Sequence, residues 1–449
     1  MINCKFLIIG AGETGLFLAK EIALLGHKVV LVEQDSFGGS YIFNKEIPKF
    51  WLKTEAKRYQ NALEIFKIYP TTHKTLLIHR EKIPEIINKK INSTYNYFLQ
   101  EYEVIPNLTL LNTQAKFYSR TLVEINADGE KDFIKFEQAI IAIGKNTLER
   151  PPFLSNKIKN YLHQFNFFQL RNDLSRIIIV GFTPKNLEIA NICTSLGIKT
   201  IIYDKKSQKE LFAYYEPETI EYLSNYLKKK KIDVFFESEV IDVQESPNGI
   251  EIQTSGNLID EASHIYIEAK EKFADNILEL IKAGINFDTS GIITENRGRT
   301  NVENIWALGD CNSKFDSTNK QTRLNEFINK VKINGQKNGL WSNVAAYRDD
   351  SQNLAQISSH TNITIDKPII IYGITESRAK QMYHPDISSH IIQRSEIDGF
   401  CKVVFRKSSG QIVGVTLTGE MAQYNHYISL SLSKNVLAGE AIKYIQSSN

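Results

Sequence analysis

The chain begins with a short apolar run at residues 6–9, Phe-Leu-Ile-Ile, closed by Gly10. A continuous apolar run bounded by glycine predicts a strand buried on both faces. Residues 16–25 then carry helical spacing and stop at Gly26, and residues 28–32 form a second apolar run ending at Glu33. Strand, helix and strand in this order predict a βαβ unit on a parallel sheet. The order returns mid-chain, with a strand over 176–181, a helix over 187–196 and a strand over 200–204. A further helical stretch ends in four lysines, 228–231, before a strand over 232–236. Lysines at a helix C-terminus suit the helix dipole and read as a solvated face. Residues 139–144 and 304–310 each read as a strand entering a turn, and 351–366 read as a polar linker. From Pro368 the pattern is strand, Gly373 turn and helix, followed by a hairpin across a Ser-Ser-Gly turn.

Length and composition narrow the class. At roughly 150 residues per domain, 449 residues suggest about three domains. No apolar run approaches the roughly 18–20 residues of a membrane span, so none is expected. The opening MINCKFLIIGAG enters a strand directly and is not read as a signal peptide. With 54 basic and 51 acidic residues, a net charge of +3 gives no reason to expect a nucleic-acid partner. Cys4, Cys193, Cys311 and Cys401 lie about a hundred or more residues apart. They form no CxxC or Cys/His cluster, so no metal site is expected, and they read as buried thiols of a cytoplasmic protein. No Ser-His-Asp, paired-carboxylate or P-loop pattern is present, and the nine histidines fall in no ligand spacing.

The strongest chemical signal is Gly10, Gly12 and Gly15, a GxGxxG between the first strand and helix, with Glu33 ending the next strand. Gly10 permits the tight turn, Gly12 admits a pyrophosphate to the backbone, and Gly15 lets helix and strand pack closely. The helix N-terminus then faces the phosphates, and Glu33 can bind ribose hydroxyls. Residues 37–52, FGGSYIFNKEIPKFWL, extend this motif. Together the two segments resemble the pyridine nucleotide-disulfide oxidoreductases, the family of dihydrolipoamide dehydrogenase, glutathione reductase and mercuric reductase. Gly38, Gly39, Ser40, Ile47 and Pro48 match the family's redox-disulfide segment, but Tyr41 and Glu46 stand where its two cysteines belong.

The resemblance implies bound FAD, held by Gly10, Gly12, Glu13, Thr14 and Gly15, by Glu33, and by Gly38, Gly39 and Ser40. It adds Ala115, where the backbone would meet the adenine, and Ala142 and Gly144 at the close of the first FAD segment. Gly309 and Asp310 belong to the second FAD motif, NIWALGD, followed by a helix over 327–335 that would meet the flavin ring. The middle of the chain resembles the nicotinamide-binding domain, with Gly181, Glu188 and Asp204 in matching positions. Its glycine turn is damaged, because Thr183 and Asn186 replace glycines, Pro184 lacks an N–H, and Lys270 stands in a neighbouring turn. NAD(P)H binding is therefore expected to be poor, with Asp204 favouring NADH.

The implied fold is α/β, with two Rossmann-like three-layer nucleotide-binding domains and a C-terminal α+β interface domain. The boundaries are 1–150 with 276–350 for the FAD domain, 151–275 for the degenerate NAD(P)-binding-like domain, and 355–449 for a domain that in the family forms a homodimer. Ser448 stands where the family's C-terminal histidine belongs, so the cysteine pair and its acid/base are absent together. Glu46 reads as a base beside the flavin, as a charge disfavouring the anionic reduced flavin, or as a solvated or ion-paired glutamate, and Tyr41 as a stacking or hydrogen-bond-donating group or as a space filler. The family's flavin lysine falls at Phe50, leaving Lys49 or Lys53 as possible partners of Glu188. The expected function is an FAD-dependent oxidoreductase without a dithiol relay, passing hydride from NAD(P)H through the flavin to an unknown small-molecule acceptor such as a quinone, a dye or oxygen. The competing reading is a non-catalytic FAD-binding or scaffold protein.

Overall fold

The structure is a computed structural model that describes residues 1–39, 42–68, 80–127, 129–145, 147–170, 172–273, 278–314, 324, 327–329, 331 and 360–447. Its first sheet has seven strands. Strand Ile2–Ile9 lies parallel between Val29–Glu33 and Glu130–Ile141, and Leu108–Asn112 extends the first side. Ala115–Phe117, Leu122–Ala127 and Glu130–Ile141 form an antiparallel meander, and Ile305–Ala307 joins Glu130–Ile141 in parallel. Phe6, Leu7 and Ile8 are fully buried, as expected of a strand covered on both faces. Helix α1, Glu13–Leu24, connects the first two strands. Because sheet order reverses at Ile2–Ile9, the turn after it lies at a topological switch point, where open α/β sheets place their ligands.

Two long helices follow, α2 (Ile47–Ile68) and α3 (Ile83–Glu103). The second sheet repeats the first plan with five parallel strands, in the order Asp233–Phe235, Lys199–Tyr203, Arg176–Val180, His264–Ile267 and Tyr161–Leu162. Helix α4, Pro184–Ser195, is its counterpart of α1, and α5, Pro217–Lys230, follows. A three-stranded antiparallel sheet over 240–262 is inserted before His264. The third sheet is antiparallel, running His360–Ile363, Ile369–Gly373, Ile412–Thr418, Phe400–Arg406 and Ile387–Gln393. Helix α6, Glu376–Tyr383, packs near it, completing an α+β unit.

Three local expectations change. The stretch 351–366 is not wholly linker, because His360–Ile363 pairs with Ile369–Gly373. Residues 351–359 lie outside the described residues. Lys270–Lys272 is a short strand paired with Thr147–Glu149, where a glycine turn was the family pattern. The lysine run is not uniformly solvated either. Lys230 is largely buried, forms an ion pair with Asp366 and reaches Gln60, so its charge joins elements distant in sequence.

One buried cation fastens the third sheet to the second. Lys402 is 3% exposed, and its ammonium lies 3.0–3.1 Å from Glu216, Glu218 and Glu376. Burial pulls the Lys402 pKa down, but hydrogen bonds to these carboxylates more than offset it, so the pKa is raised. Glu376 is lowered from 4.5 to about 2, chiefly by its hydrogen bond from Lys380 and also by those from Lys402 and Ser389. Removing one partner of a buried ion cluster strands the others at a cost of about 3–5 kcal/mol. Lys402→Met is therefore expected to lower unfolding stability by about that amount in urea titrations. Because Glu376 is depressed in the folded state, its contribution is present above pH 4.5 and is lost as the pH falls toward 2. The wild-type pH–stability curve should slope through that window, and Glu376→Gln should flatten it.

Candidate functional site

The first glycine turn is built as an open cradle. Gly10 has φ +100°, and a Cβ there would lie 2.6 Å from the Ala142 carbonyl oxygen. A Cβ on Gly15 would lie 1.8 Å from the Gly10 carbonyl, so α1 can approach the strand only with glycine there. A Cβ on Gly12, by contrast, would meet nothing within 4 Å among the described residues. Gly12 is the N-cap of α1 and has no side chain with which to satisfy the helix's first amides. Glu33 accepts hydrogen bonds from the amides of Ala11, at 2.7 Å, and Asp35, at 3.1 Å. Burial raises its pKa, and those amides oppose the shift.

Other expected flavin residues gather at this turn. The Gly38 amide donates to the Ala11 carbonyl, and a Cβ on Gly39 would lie 2.8 Å from the Gly12 Cα. Gly309 packs on Thr14, where a Cβ would come within 2.9 Å of the hydroxyl, leaving Asp310 exposed beside it. Glu13 is exposed in the first turn of α1. Ala142 is bonded to Ile9, Gly144 follows it with φ +64°, and Ala115 is buried at the start of its strand. Ser40 and Tyr41 lie outside the described residues, as do Ser448 and residues 332–335 of the expected flavin-facing helix.

The second turn has the same frame and is closed by its own side chains. The Thr183 hydroxyl caps α4 by accepting from the Asn186 amide, at 3.2 Å. The buried Asn186 carboxamide donates to the carbonyls of Val180 and Gly181, at 2.9 and 2.7 Å. Asp204 is buried and accepts from the amides of Phe182, at 2.6 Å, and Lys206, at 2.8 Å. The side chains of Thr183 and Asn186 thus satisfy backbone groups of this turn from within the chain. Lys185 also spans the mouth of the turn to Glu268, at 2.7 Å.

A chain of alternating charges joins the start of α2 to α4. Glu46 ends a wide π-helical turn, Ile42–Glu46, that leads into α2. Lys49 lies 3.0 Å from Glu46 and 3.3 Å from Glu188 on α4, and Lys53 lies 3.5 Å from Glu188. Lys49 and Lys53 are four residues apart and share one helix face. Phe50 lies on another face and is 60% exposed, packed edge-on against Trp51. Burial pulls the Lys49 pKa down, but Glu188 and Glu46 more than compensate and hold it above its usual value. Glu188 therefore has two lysine partners even though position 50 is phenylalanine.

Sequence reasoning missed the wall of this cleft. Phe167 and Tyr266 meet edge to face at 5.7 Å and 81°, and Phe168 and Ile189 continue the apolar lining beside Lys49 and Glu188. The paired aromatics of Asn166-Phe-Phe-Gln were the available signal, but nothing local placed them against α4. The four cysteines are elsewhere. All are buried, and burial pushes the thiol pKa of Cys4, Cys311 and Cys401 to about 12 and raises that of Cys193 still further. No cluster able to hold a metal ion and no helix long and apolar enough to cross a membrane occurs among the described residues.

Two parallel βαβ units, each with a dinucleotide-type turn, are followed by an antiparallel α+β unit. The chain belongs to the pyridine nucleotide-disulphide oxidoreductase family, whose model matches residues 4–329. It is 22% identical over 439 residues to dihydrolipoyl dehydrogenase of Bacillus subtilis, covering 94% of this chain and 88% of that one. The enzyme of the same name from Geobacillus stearothermophilus is 24% identical over 432 residues, with the same coverages. Among solved structures, the Cu(II) complex of the HOCl-induced flavoprotein disulfide reductase RclA from Escherichia coli superposes with a TM-score of 0.77 at 17% identity. That match covers 97% of this chain and 94% of the other. The fold expected from the sequence is thus the fold observed.

The closed second turn has a direct stability consequence. Thr183→Ala should cost about 1 kcal/mol in urea unfolding, because the first turn of α4 loses its capping oxygen. A cost near zero would mean that the hydroxyl caps nothing in solution.

Proposed function

We propose that the protein holds FAD on the first turn and works as an oxidoreductase that serves a small-molecule acceptor directly, without a dithiol relay. The observation that supports this reading is the Glu46–Lys49–Glu188 chain, in which Glu46, the residue matched to a family cysteine, is paired with a lysine. The buried, proton-holding cysteines support it, since disulfide exchange needs an accessible thiolate. The flavin, when bound, supplies two-electron chemistry.

The chain's own groups divide the remaining work. Gly10, Gly12, Gly15, Gly38, Gly39 and the amides of α1 would hold the diphosphate, and Glu33 the ribose. Gly309 and Asp310 would hold the second FAD segment. Lys49 keeps a positive charge in the cleft, oriented by Glu188, and Glu46 balances it rather than standing free as a base. Phe167 and Tyr266 exclude water from the cleft wall. The division into 1–150 with 276–350, 151–275 and 355–449 fits the three sheets, and a homodimer through the last segment fits the family. A non-catalytic FAD-binding scaffold is the second reading, favoured by the self-occupied turn around Thr183, Asn186 and Asp204.

The protein should purify yellow with FAD bound non-covalently. Gly12→Val should remain folded by circular dichroism and lose the flavin, because the new side chain fills only the cradle; a colourless wild type that takes up no FAD would overturn the reading. Lipoamide, glutathione and mercuric-ion reductase activities should be negligible. Robust disulfide reduction surviving substitution of all four cysteines would contradict the assignment. Anaerobic titration with NADH should reduce the flavin slowly and without saturation at micromolar concentrations. Two or three lost phosphate contacts at about 1.5–3 kcal/mol each weaken binding by several orders of magnitude. Thr183→Gly with Asn186→Gly should tighten it, whereas no flavin reduction by any donor would favour the scaffold.

A further inference from the structure

We propose that the outer edge of the second sheet is a docking site for an extended, apolar and acidic segment of a partner protein, which adds as a strand beside Asp233–Phe235. The proposal is independent of the flavin reading, because this edge belongs to neither glycine turn.

Asp233–Phe235 ends the strand order of its sheet. It pairs on one side with Lys199–Tyr203 and has no described strand on the other. The Asp204 amide donates to the Phe235 carbonyl, so the backbone of residue 235 faces into the sheet. Backbone direction alternates along a strand, which turns the Val234 N–H and C=O outward. An edge with such groups exposed is a template for another chain, and natural edges are commonly blocked by proline or lysine. Asp-Val-Phe contains neither.

A groove of about 340 Å³ follows this edge, and its lining includes every residue from Ile232 to Phe236. Side chains alternate between the two faces of a sheet, so a hollow on one face would touch only every second residue. Consecutive residues line a single groove where it runs along the strand's edge, beside the backbone.

The groove is chemically divided. On the helix side Ile232 is buried, Val234 and Phe236 pack on the same core, and Phe212 and Leu227 complete an apolar floor. On the opposite face Phe235 is 41% exposed and stacks on Tyr203 at 4.9 Å and 11°. Lys228 lines the groove from the last turn of α5, exposed and with no carboxylate partner among the described residues. Lys229 and Lys231 are exposed beside it in sequence, so this end is positive. An added strand sets an aliphatic side chain over Phe212 and Leu227, and an acid two positions away, on the same face, against Lys228. Main-chain bonds to Val234 supply the affinity and these two places the specificity. A free hydrocarbon chain fills the apolar floor but leaves the Val234 groups without partners.

The test uses the purified full chain, with the fluorescein-labelled peptide Ser-Glu-Val-Leu-Val-Ser as probe. Fluorescence polarisation should show saturable binding at one site per chain. Only alternate amides of an added strand face the sheet. Of two N-methylated probes, one blocked at glutamate and leucine and the other at both valines, one should therefore bind at least about tenfold more weakly and the other about as well as the parent. Lys228→Glu, a change at an exposed side chain, should weaken the probe about fivefold without moving the melting temperature. A probe with lysine in place of glutamate should bind the unmodified chain equally weakly and regain affinity on the Lys228→Glu protein. Absence of saturable binding, equal behaviour of the two methylated probes, or a charge exchange that restores nothing would each overturn the proposal. Self-association by light scattering that displaces the probe would show that a second copy covers the edge, and would overturn it too.

Discussion

The first amides of an α-helix have no partners within the helix, and something must accept from them. The two halves of this protein meet that constraint in opposite ways. In α1 the cap is Gly12, which offers nothing, and the space above it is open. In α4 the cap is Thr183, whose hydroxyl accepts from the Asn186 amide. An uncapped helix N-terminus invites an anion, and a capped one has already found its acceptor. The contrast organises the whole site. Glu33 and Asp204 stand at equivalent strand ends, and each accepts from two backbone amides, one of them in the glycine turn beside it.

The contact between α2 and α4 depends on Glu188. A largely buried carboxylate is costly unless paired, and here Lys49 and Lys53 converge on it from α2. That convergence joins the two sheets across the cleft. It also neutralises Glu46, so that a carboxylate can stand at this position without leaving an isolated negative charge. A carboxylate at position 46 is compatible with the fold because the same lysine serves both acids.

The third sheet is fixed by a comparable device. Lys402 draws Glu216 and Glu218 from α5 and Glu376 from α6 into one cluster, and Glu216 also accepts from the Glu376 amide at 2.7 Å. Lys230 of α5 with Asp366, and Lys53 of α2 with the Thr364 carbonyl, add contacts to the segment between the first two strands of the third sheet. The Lys53 contact continues the electrostatic chain from Glu188 toward the third sheet.

Much of this was legible along the chain, because it is local. Fully apolar runs marked strands covered on both faces, and glycines at 10, 12 and 15 marked a turn whose geometry depends on neighbours within a few residues. The acids at 33 and 204 followed from strand ends, and the cysteines were read as buried from their isolation. Even the Thr183 cap was within reach, since threonine before Pro184 is a helix-start signal. Tertiary structure decided what depends on distant pairings. Lys49 and Glu188 are 139 positions apart, and only the packing of α2 on α4 selects Lys49 and Lys53 over Phe50. Likewise, only that packing makes a wall of Phe167 and Tyr266, and only sheet closure turns His360–Ile363 from polar linker into strand. Periodicity reports which face of an element is buried, but the partner that covers it is a property of the folded chain.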